Sequence, residues 1–298
     1  MLTGDIGKVR IGDITLSYRK NDGGGTHYLG RSHAEEYLSP IYPLLQKELS
    51  PQVCLDIGAN YGYTGLLMRR AFPDSRLTLV EPIPWLADFI RHNFETNGES
   101  FDRLCSAIAS AGTDGARSSF GVNERGTQDS RVIPQPGTSV IETDVVTIDN
   151  LTKDVAASQG TYIKIDTQGW EERVLAGASG FLSRHDRWFI KAEFAPQWLE
   201  SQGTDPVALL RRLIASYAVH ESPGRQRWNC ATLAEAIGAQ LRAGDEEAFV
   251  HYVRNLAIQD KGWVDIYILP PPERRAYATI VEAGASRMWR RLFRKGRR

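Results

Sequence analysis

The chain has 298 residues, 42% of them hydrophobic, which is enough for a substantial core in one large α/β domain or two smaller domains. Its 36 basic and 36 acidic residues cancel, so the whole molecule has no electrostatic bias toward nucleic acid. No stretch approaches the ~20 apolar residues needed to cross a bilayer, and Cys54, Cys105 and Cys230 show no paired or metal-like spacing. We therefore expect a globular protein of the reducing cytoplasm.

The first elements form a lead-in, which we assign to residues 1–32. Residues 8–19 alternate apolar and polar side chains around Gly12-Asp13, and this pattern predicts a short hairpin. A glycine-rich loop follows at residues 21–26.

Strands and helices then alternate along the chain. Short apolar runs predict the strands, and segments with helical periodicity separate them. In chain order, the expected elements are a helix at 33–49, a strand at 53–57, a helix at 62–71, a strand at 77–80, a helix at 85–97, strands at 103–109 and 162–166, a helix at 170–182, and strands at 188–194 and 264–269. This alternation predicts a mostly parallel sheet with a binding site at the carboxyl ends of its strands.

Other segments carry weaker patterns. Residues 110–143 are rich in Gly, Ser, Thr and Pro, so we expect irregular structure or edge strands there, followed by a short helix within residues 144–151. A helical insertion is expected at about 225–258. The main domain then covers residues 33–272, and residues 273–298 form a basic tail.

The most informative segment is VCLDIGANYGYTG at residues 53–65. An apolar run enters Asp56, and the glycines at positions 58 and 62 allow a sharp turn from a strand into a helix. A side chain at Gly58 or Gly62 would stand between that turn and a ligand bound over it. The segment therefore predicts a binding loop at the end of a strand.

The next strand, LTLVEP at residues 77–82, ends in Glu81, which is placed to bind ribose hydroxyls. The glycine segment lacks the GxGxxG order of a dinucleotide site, and Asp56 would repel a pyrophosphate. The same carboxylate suits the ammonium group of S-adenosylmethionine, which carries no phosphate. Two alternatives stay open: a nicotinamide-dependent oxidoreductase on a similar sheet, and a non-catalytic Rossmann-like binding protein.

A second segment, YIKIDTQGWEERVLAG at residues 162–177, places charges in an otherwise apolar strand. Lys164 and Asp166 are two residues apart, so they share one side of that strand. Because a buried charge is costly without a partner, these residues are expected either to pair or to take part in function.

In this order, the motifs DIGANYGYTG, VEP, KIDTQGWE with VLAGA, and KAEF resemble the FkbM-type methyltransferase family over about residues 35–194. The resemblance implies an α/β fold with a Rossmann-like seven-stranded sheet, mostly parallel, with helices on both faces. It also implies a methyltransferase that uses S-adenosylmethionine and acts mostly on hydroxyl groups of sugars, glycolipids or polyketide-like secondary metabolites. The expected acceptor is a small molecule or a glycan, and the expected role is in glycan or natural product biosynthesis.

The resemblance also assigns cofactor contacts by position, with Glu81 on the ribose and Pro82 beside it. The glycine segment would line the rest of the pocket with Asp56, Gly58, Ala59, Asn60 and Gly62. The family often has Glu where this chain has Gln168. We therefore assign Gln168 no role as an acid or base.

A neutral alcohol is a weak nucleophile, so a carboxylate within hydrogen-bond reach is expected to accept its proton. Asp166, at the end of the fourth strand of the sheet, is the first candidate for this base, and Glu193, at the end of the fifth, is the second. Lys164 orients Asp166, binds an anionic group of the acceptor, or is a structural partner of a carboxylate. Glu171 has a structural alternative too, because it falls in the first turn of a helix.

Aromatic residues near the expected site are candidate walls for an adenine or sugar ring, although core packing explains most aromatic side chains. They are Tyr61, Tyr63, Trp85, Trp170 and Trp198, with Tyr28 and Arg31 as a candidate lid. The six histidines show no metal-ligand spacing, and no metal site is predicted.

The C-terminal residues 287–298 contain seven Arg or Lys residues and no acid. Two interpretations stay open for this tail: peripheral contact with anionic lipid at the inner face of the membrane, and a solvated segment. No nucleic-acid partner is expected, because the chain has neither an Asn-Pro-Pro-aromatic motif nor a basic stripe across the expected site.

Overall fold

The computed structural model describes residue 2 and residues 4–31, 41–222 and 230–277. The basic tail at 287–298 and residues 33–40 of the helix expected at 33–49 lie outside these residues, and so does the side chain of Arg31. Contact of the tail with lipid stays a prediction. Of the helices in the described ranges, none combines the length and the apolar character that crossing a bilayer requires.

The elements are numbered here in chain order. The strands are β1 (Ile6–Ile11), β2 (Ile14–Arg19), β3 (Pro51–Ile57), β4 (Arg76–Val80), β5 (Arg103–Cys105), β6 (Ala107–Ala109), β7 (Arg117–Val122), β8 (Ser139–Val146), β9 (Gly160–Ile165), β10 (Trp188–Phe194), β11 (Ala218–Glu221) and β12 (Val264–Leu269). The helices are α1 (Gly23–Thr26), α2 (Ile41–Glu48), α3 (Tyr63–Ala71), α4 (Pro84–Thr96), α5 (Ile148–Leu151), α6 (Glu171–Ala176), α7 (Ser179–Arg184), α8 (Pro196–Ser201), α9 (Pro206–Ser216), α10 (Leu233–Ala236) and α11 (Glu246–Arg254).

The central sheet has seven strands in the order β11-β12-β10-β9-β3-β4-β5. Strands β3, β4, β5, β9 and β10 run parallel, and β12 is antiparallel to both of its neighbours. The predicted α/β fold with a Rossmann-like, mostly parallel seven-stranded sheet is therefore confirmed.

Two hydrophobic cores lie on opposite faces of this sheet. Successive residues of β3 alternate between them, since Cys54 packs in the first core whereas Val53 and Leu55 pack in the second. This alternation is expected of a strand that is buried on both faces. Side chains of α2, α3 and α4 complete the first core, and side chains of α6, α7, α9 and α11 complete the second.

The segment between β5 and α5 differs from its prediction. The strand expected at 103–109 is two strands in different sheets, because the chain leaves the central sheet at Ser106 and β6 pairs with β8 instead. The hydroxyl of Thr143 donates to the Ser106 carbonyl at 3.1 Å and holds this break. Strands β6, β7 and β8 form a three-stranded sheet, and β8 is largely exposed, which explains the weak apolar pattern of the region.

Two helical predictions are also corrected. The helix expected at 170–182 is split into α6 and α7 at Gly177, where an added Cβ would lie 2.4 Å from the carbonyl oxygen of Ser110. The insertion expected at 225–258 contains α10 and α11, which are separated by non-helical residues 237–245. Helices α8 and α9 and the edge strand β11 were not predicted.

The N-terminal hairpin of β1 and β2 is confirmed, with its turn at Gly12-Asp13. Asn93 of α4 is fully buried and ties this hairpin to the glycine segment. Its side-chain oxygen accepts a hydrogen bond from the Ser17 amide at 2.8 Å, and its amide nitrogen donates to the carbonyls of Ser17 at 3.1 Å and Tyr61 at 2.9 Å. The division into a lead-in and a main domain stays a prediction.

Replacing Asn93 with Ala removes these hydrogen bonds and leaves buried backbone groups without partners. Because an unpaired buried polar group costs ~1–3 kcal/mol, we expect the free energy of unfolding in urea to fall by about 3 kcal/mol. The control is Glu95→Ala, an exposed position of the same helix, which should change it by less than about 0.5 kcal/mol. Equal effects of the two substitutions would contradict the assigned role of Asn93.

Candidate active site

A cavity of about 650 Å³ opens where the parallel strands β3, β4, β9 and β10 end. Its size is typical of a site for a small molecule. The residues that follow these strands line it: Gly58, Ala59, Asn60, Glu81, Pro82, Asp166, Thr167 and Gln168, with Glu193 near the end of β10. A cavity therefore lies where the sequence predicts the binding site, at the carboxyl ends of the strands.

The glycine segment is shaped by its neighbours in the protein. Gly58 has a φ of +78°, and an added Cβ would lie 1.9 Å from the carbonyl oxygen of Asp166. Position 58 excludes a side chain because the loops after β3 and β9 touch, whereas the sequence suggested exclusion by a ligand. Gly62 has a φ of +82°, begins α3, and does not line the cavity, because it faces Ile90 of α4.

Glu81 links the loops that follow β3 and β4. Its carboxylate accepts hydrogen bonds from the amides of Asn60 at 2.8 Å and Ile83 at 3.0 Å. Burial raises the pKa of Glu81 from 4.5 to about 7, although both amides and Lys164 oppose the rise. An ionised carboxylate has about four acceptor positions, so Glu81 retains capacity for hydroxyl donors in the cavity.

Lys164 lies between two carboxylates at the base of the cavity. Its ammonium nitrogen is 3.4 Å from Asp56 and 3.5 Å from Asp166, and it donates to the carbonyl of Gly58 at 2.9 Å. Asp56 pairs in register with Lys164 across β3 and β9, is fully buried, and does not line the cavity. Asp56 is therefore not part of the cavity wall, where a direct cofactor contact was expected, because it is buried beside Lys164.

Burial and the charge of Lys164 together set the pKa values of Asp56 and Asp166. Burial raises the pKa of Asp56 above its ordinary value, and Lys164 opposes this rise. Burial works in the same direction on Asp166, but Lys164 and the amide of Gln168 outweigh it, so the pKa of Asp166 is lowered. Asp166 is therefore ionised at neutral pH, and 39% of its side chain is exposed.

Gln168 joins the two candidate bases. Its amide nitrogen donates to Asp166 at 2.9 Å and to Glu193 at 3.1 Å. Burial, followed by the charges of Asp166 and Glu171, raises the pKa of Glu193 well above its ordinary value. The pKa values of the two carboxyl groups are therefore shifted in opposite directions, which is a frequent property of acid and base pairs in active sites.

Glu171 is a structural residue of the loop that carries Gln168. Its carboxylate accepts hydrogen bonds from the amide and the hydroxyl of Thr167 at 2.8 and 3.0 Å, and from the amide of Gly169 at 3.3 Å. These contacts support the left-handed backbone of Gln168, whose φ is +56°. That conformation is uncommon outside glycine and is enriched at functional sites, so it points to a role for Gln168. The residue type alone did not indicate this role.

Asp22 attaches the lead-in to the glycine segment and to Thr127. Its carboxylate accepts hydrogen bonds from the hydroxyl of Tyr61 at 2.6 Å, the hydroxyl of Thr127 at 2.7 Å and the amide of Thr127 at 2.8 Å. His27 and Tyr28, which follow it, line the cavity. Sequence reasoning singled out Tyr28 but not Asp22, whose partner Thr127 is 105 positions away.

The aromatic candidates divide into two groups. Tyr63, Trp170 and Trp198 line the cavity. Tyr61 and Trp85 do not: Tyr61 is fully buried, and the guanidinium of Arg19 lies 3.6 Å from the centre of the Trp85 ring. In the described part of the chain, no group of three or more His, Cys, Asp or Glu residues is arranged to hold a metal ion.

Sequence comparison assigns this site to a family. A profile of the methyltransferase FkbM domain matches residues 56–221, which is more than half of the chain. The chain belongs to the FkbM methyltransferase family. It is a methyltransferase that uses S-adenosylmethionine, and the family match decides against the oxidoreductase alternative. No curated protein matches the chain in sequence.

Solved structures with a similar fold include other methyltransferases. Precorrin-6y C5,15-methyltransferase from Geobacter metallireducens GS-15 has a TM-score of 0.39 at 13% identity, covering 79% of this chain and 88% of that one. A putative O-methyltransferase from Klebsiella pneumoniae has a TM-score of 0.38 at 12% identity, covering 80% of each chain. Geranyl diphosphate methyltransferase in complex with SAM has a TM-score of 0.39 at 12% identity, covering 84% of this chain and 90% of that one.

The residues of the FkbM site fit S-adenosylmethionine. Glu81 offers a carboxylate for ribose hydroxyls, and Ile83, Ala107 and Ile108 offer apolar surface for adenine. The individual cofactor contacts of Gly58, Ala59, Asn60, Glu81 and Pro82 stay predictions.

Cofactor binding is expected to release a proton from Glu81. Ribose hydroxyls donate to the ionised carboxylate, so binding lowers a pKa that is about 7 in the free protein. Near pH 6.5 the free carboxyl is largely protonated and the bound one is ionised. Titration of S-adenosylhomocysteine by calorimetry, in buffers of different ionisation enthalpy, measures this release directly.

Glu81→Gln should abolish the release and weaken binding. Glu171→Gln is the matched control, because Glu171 is a buried carboxyl with a raised pKa that does not line the cavity, and it should leave the release unchanged. An undiminished proton release in Glu81→Gln would remove Glu81 as the ribose ligand.

Proposed function

We propose that the protein methylates a hydroxyl oxygen of a small-molecule or glycan acceptor, with Asp166 as the general base. The observation that supports this best is an ionised carboxylate, partly exposed in the same cavity as Glu81 and the glycine segment. A hydroxyl acceptor requires such a group, because its proton must leave as the new carbon–oxygen bond forms.

S-adenosylmethionine, when bound, supplies an electrophilic methyl group on a sulfonium. The work of the protein is to align the acceptor oxygen with that group and to exclude water. The loops after β3 and β9 are held in contact by Gly58 and Lys164. This contact fixes the position of Asp166 relative to the cofactor loop.

Lys164 acts on the reaction through Asp166. Its ammonium, with Asp56 behind it, keeps the Asp166 carboxylate ionised and fixes one of its oxygens. Asp56 and Asp166 already compensate the charge of Lys164. Its role is therefore to orient Asp166 and not to bind an anionic group of the acceptor.

Glu193 complements Asp166. Burial and the neighbouring carboxylates raise its pKa, which favours the protonated form. A protonated carboxyl can donate a hydrogen bond to the acceptor, while Asp166 accepts the proton of the reacting hydroxyl. Gln168 contacts both carboxyl groups and sets their separation.

Asp166→Asn tests the base. The change keeps the size of the side chain and removes the proton acceptor, so turnover is expected to fall ~100- to 10,000-fold, with affinity for S-adenosylhomocysteine changed less than about threefold. Turnover is measured as methyl transfer from labelled S-adenosylmethionine to a panel of hydroxylated compounds.

The control for turnover is Asp144→Asn. Asp144 is an exposed carboxylate on β8 that does not line the cavity, so turnover should equal that of the wild type. Unchanged turnover in Asp166→Asn would exclude Asp166 as the base. A labelled methyl group found on nitrogen or carbon of the acceptor would exclude hydroxyl methylation.

A further inference from the structure

A second charged pair lines the cavity on the side away from the glycine segment. The ammonium of Lys191 in β10 lies 2.9 Å from the carboxylate of Asp265 in β12. Both residues line the cavity, with 34% of the Lys191 side chain and 27% of the Asp265 side chain exposed. The proposed mechanism uses neither residue.

Strand register places this pair beside the reacting centre. Lys191 lies opposite Lys164 in the parallel pairing of β9 and β10, and Asp265 lies opposite Glu193 in the antiparallel pairing of β10 and β12. Residues paired in this way point to the same face of the sheet. Because adjacent strands are ~5 Å apart, the pair is about 5 to 10 Å from the strand that carries Lys164.

The pair has hydrogen-bonding capacity left for a ligand. An ammonium has three donors, and a carboxylate accepts several hydrogen bonds. Within the described ranges, Asp265 is the one carboxylate that pairs with Lys191. Polar groups placed in a cavity with unused capacity are typical of a site that fixes the orientation of a ligand.

Aromatic residues line the cavity close to the pair along β12. Tyr267 lies opposite Lys191, and Trp263 and Tyr267 each lie two positions from Asp265. Trp263 is 48% exposed. The hydroxyl of Ser222 donates to the hydroxyl of Tyr267 at 3.1 Å. Flat apolar faces beside polar groups suit a ring whose edge carries hydroxyls and whose faces carry C–H bonds.

The balance of charge selects the ligand class. An anionic group would approach Lys191 but would also meet the carboxylate of Asp265. A cationic group would lie close to the ammonium of Lys191, and Asp265 already has Lys191 as its cationic partner. A neutral group with adjacent hydroxyls can accept from Lys191 and donate to Asp265 without leaving a charge unpaired.

We propose that Lys191 and Asp265 form an acceptor subsite that binds a neutral ring with adjacent hydroxyl groups, next to the hydroxyl that is methylated. This subsite rests on the proposed function, since it supplies the acceptor to Asp166. It makes the protein selective for uncharged polyhydroxylated acceptors.

The test is saturation-transfer NMR on protein saturated with S-adenosylhomocysteine. The neutral probes are myo-inositol and the methyl glycosides of glucose, galactose, mannose, rhamnose and fucose, and the charged probes are glucuronate and glucosamine. At least one neutral probe is expected to bind the wild-type protein, with at least tenfold higher affinity than either charged probe. No binding of any neutral probe, or tighter binding of a charged probe, overturns the proposal without the need for a variant.

The double variant Lys191→Met/Asp265→Leu removes both charges and fills their volume. It should bind the neutral probe at least tenfold more weakly and keep wild-type affinity for S-adenosylhomocysteine, which also reports that it is folded. The matched control is Arg117→Met/Asp144→Leu, which removes an exposed ion pair of 2.8 Å outside the cavity and should bind the probe as wild type does.

Equal probe affinity in the Lys191/Asp265 double variant and the wild type overturns the subsite. This result is distinct from failure of the proposed function. Methylation of nitrogen or carbon contradicts hydroxyl methylation, and full turnover in Asp166→Asn contradicts Asp166 as the base. Neither result changes the ratio of probe affinities.

Discussion

The ammonium of Lys164 is the interaction on which the site depends. It compensates the charge of Asp56 in the core, fixes Asp166 at the cavity wall, and binds the carbonyl of Gly58. Loss of one partner from a buried ion pair costs ~3–5 kcal/mol, so this contact stabilises the fold as well as the site. It also draws the loops after β3 and β9 together, which leaves position 58 no room for a side chain.

The charges continue across one face of the sheet. Asp56, Lys164 and Lys191 are paired in register on β3, β9 and β10, and Asp265 follows on β12. Each lysine has a carboxylate partner on a neighbouring strand, so the row remains compensated although much of it is buried. This arrangement places a centre for proton transfer and a centre for acceptor recognition on the same rigid scaffold, where their separation is set by strand spacing.

Features within one element were predictable from sequence, and features that join distant elements were not. The strands at 188–194 and 264–269 match at both ends, because each is a short apolar run with clear boundaries. The closeness of Lys164 and Asp166 followed from their spacing along one strand. The pair of Lys191 and Asp265 depends on the antiparallel position of β12, which no local pattern specifies, although Lys191 has the same spacing from Glu193 as Lys164 has from Asp166.

The Lys164 ammonium keeps Asp166 ionised against the effect of burial. The pKa of the Asp166 carboxyl group can be measured by following the ¹³C chemical shift of its carboxyl carbon with pH. The two proteins to compare are the wild type and Asp56→Asn/Lys164→Met, in which the buried charge at position 56 is removed together with its partner. We expect a pKa below the ordinary value in the wild type and a higher pKa in the double variant, because only the weaker effects of Gln168 and Lys191 then oppose burial. The same pKa in both proteins would contradict the account.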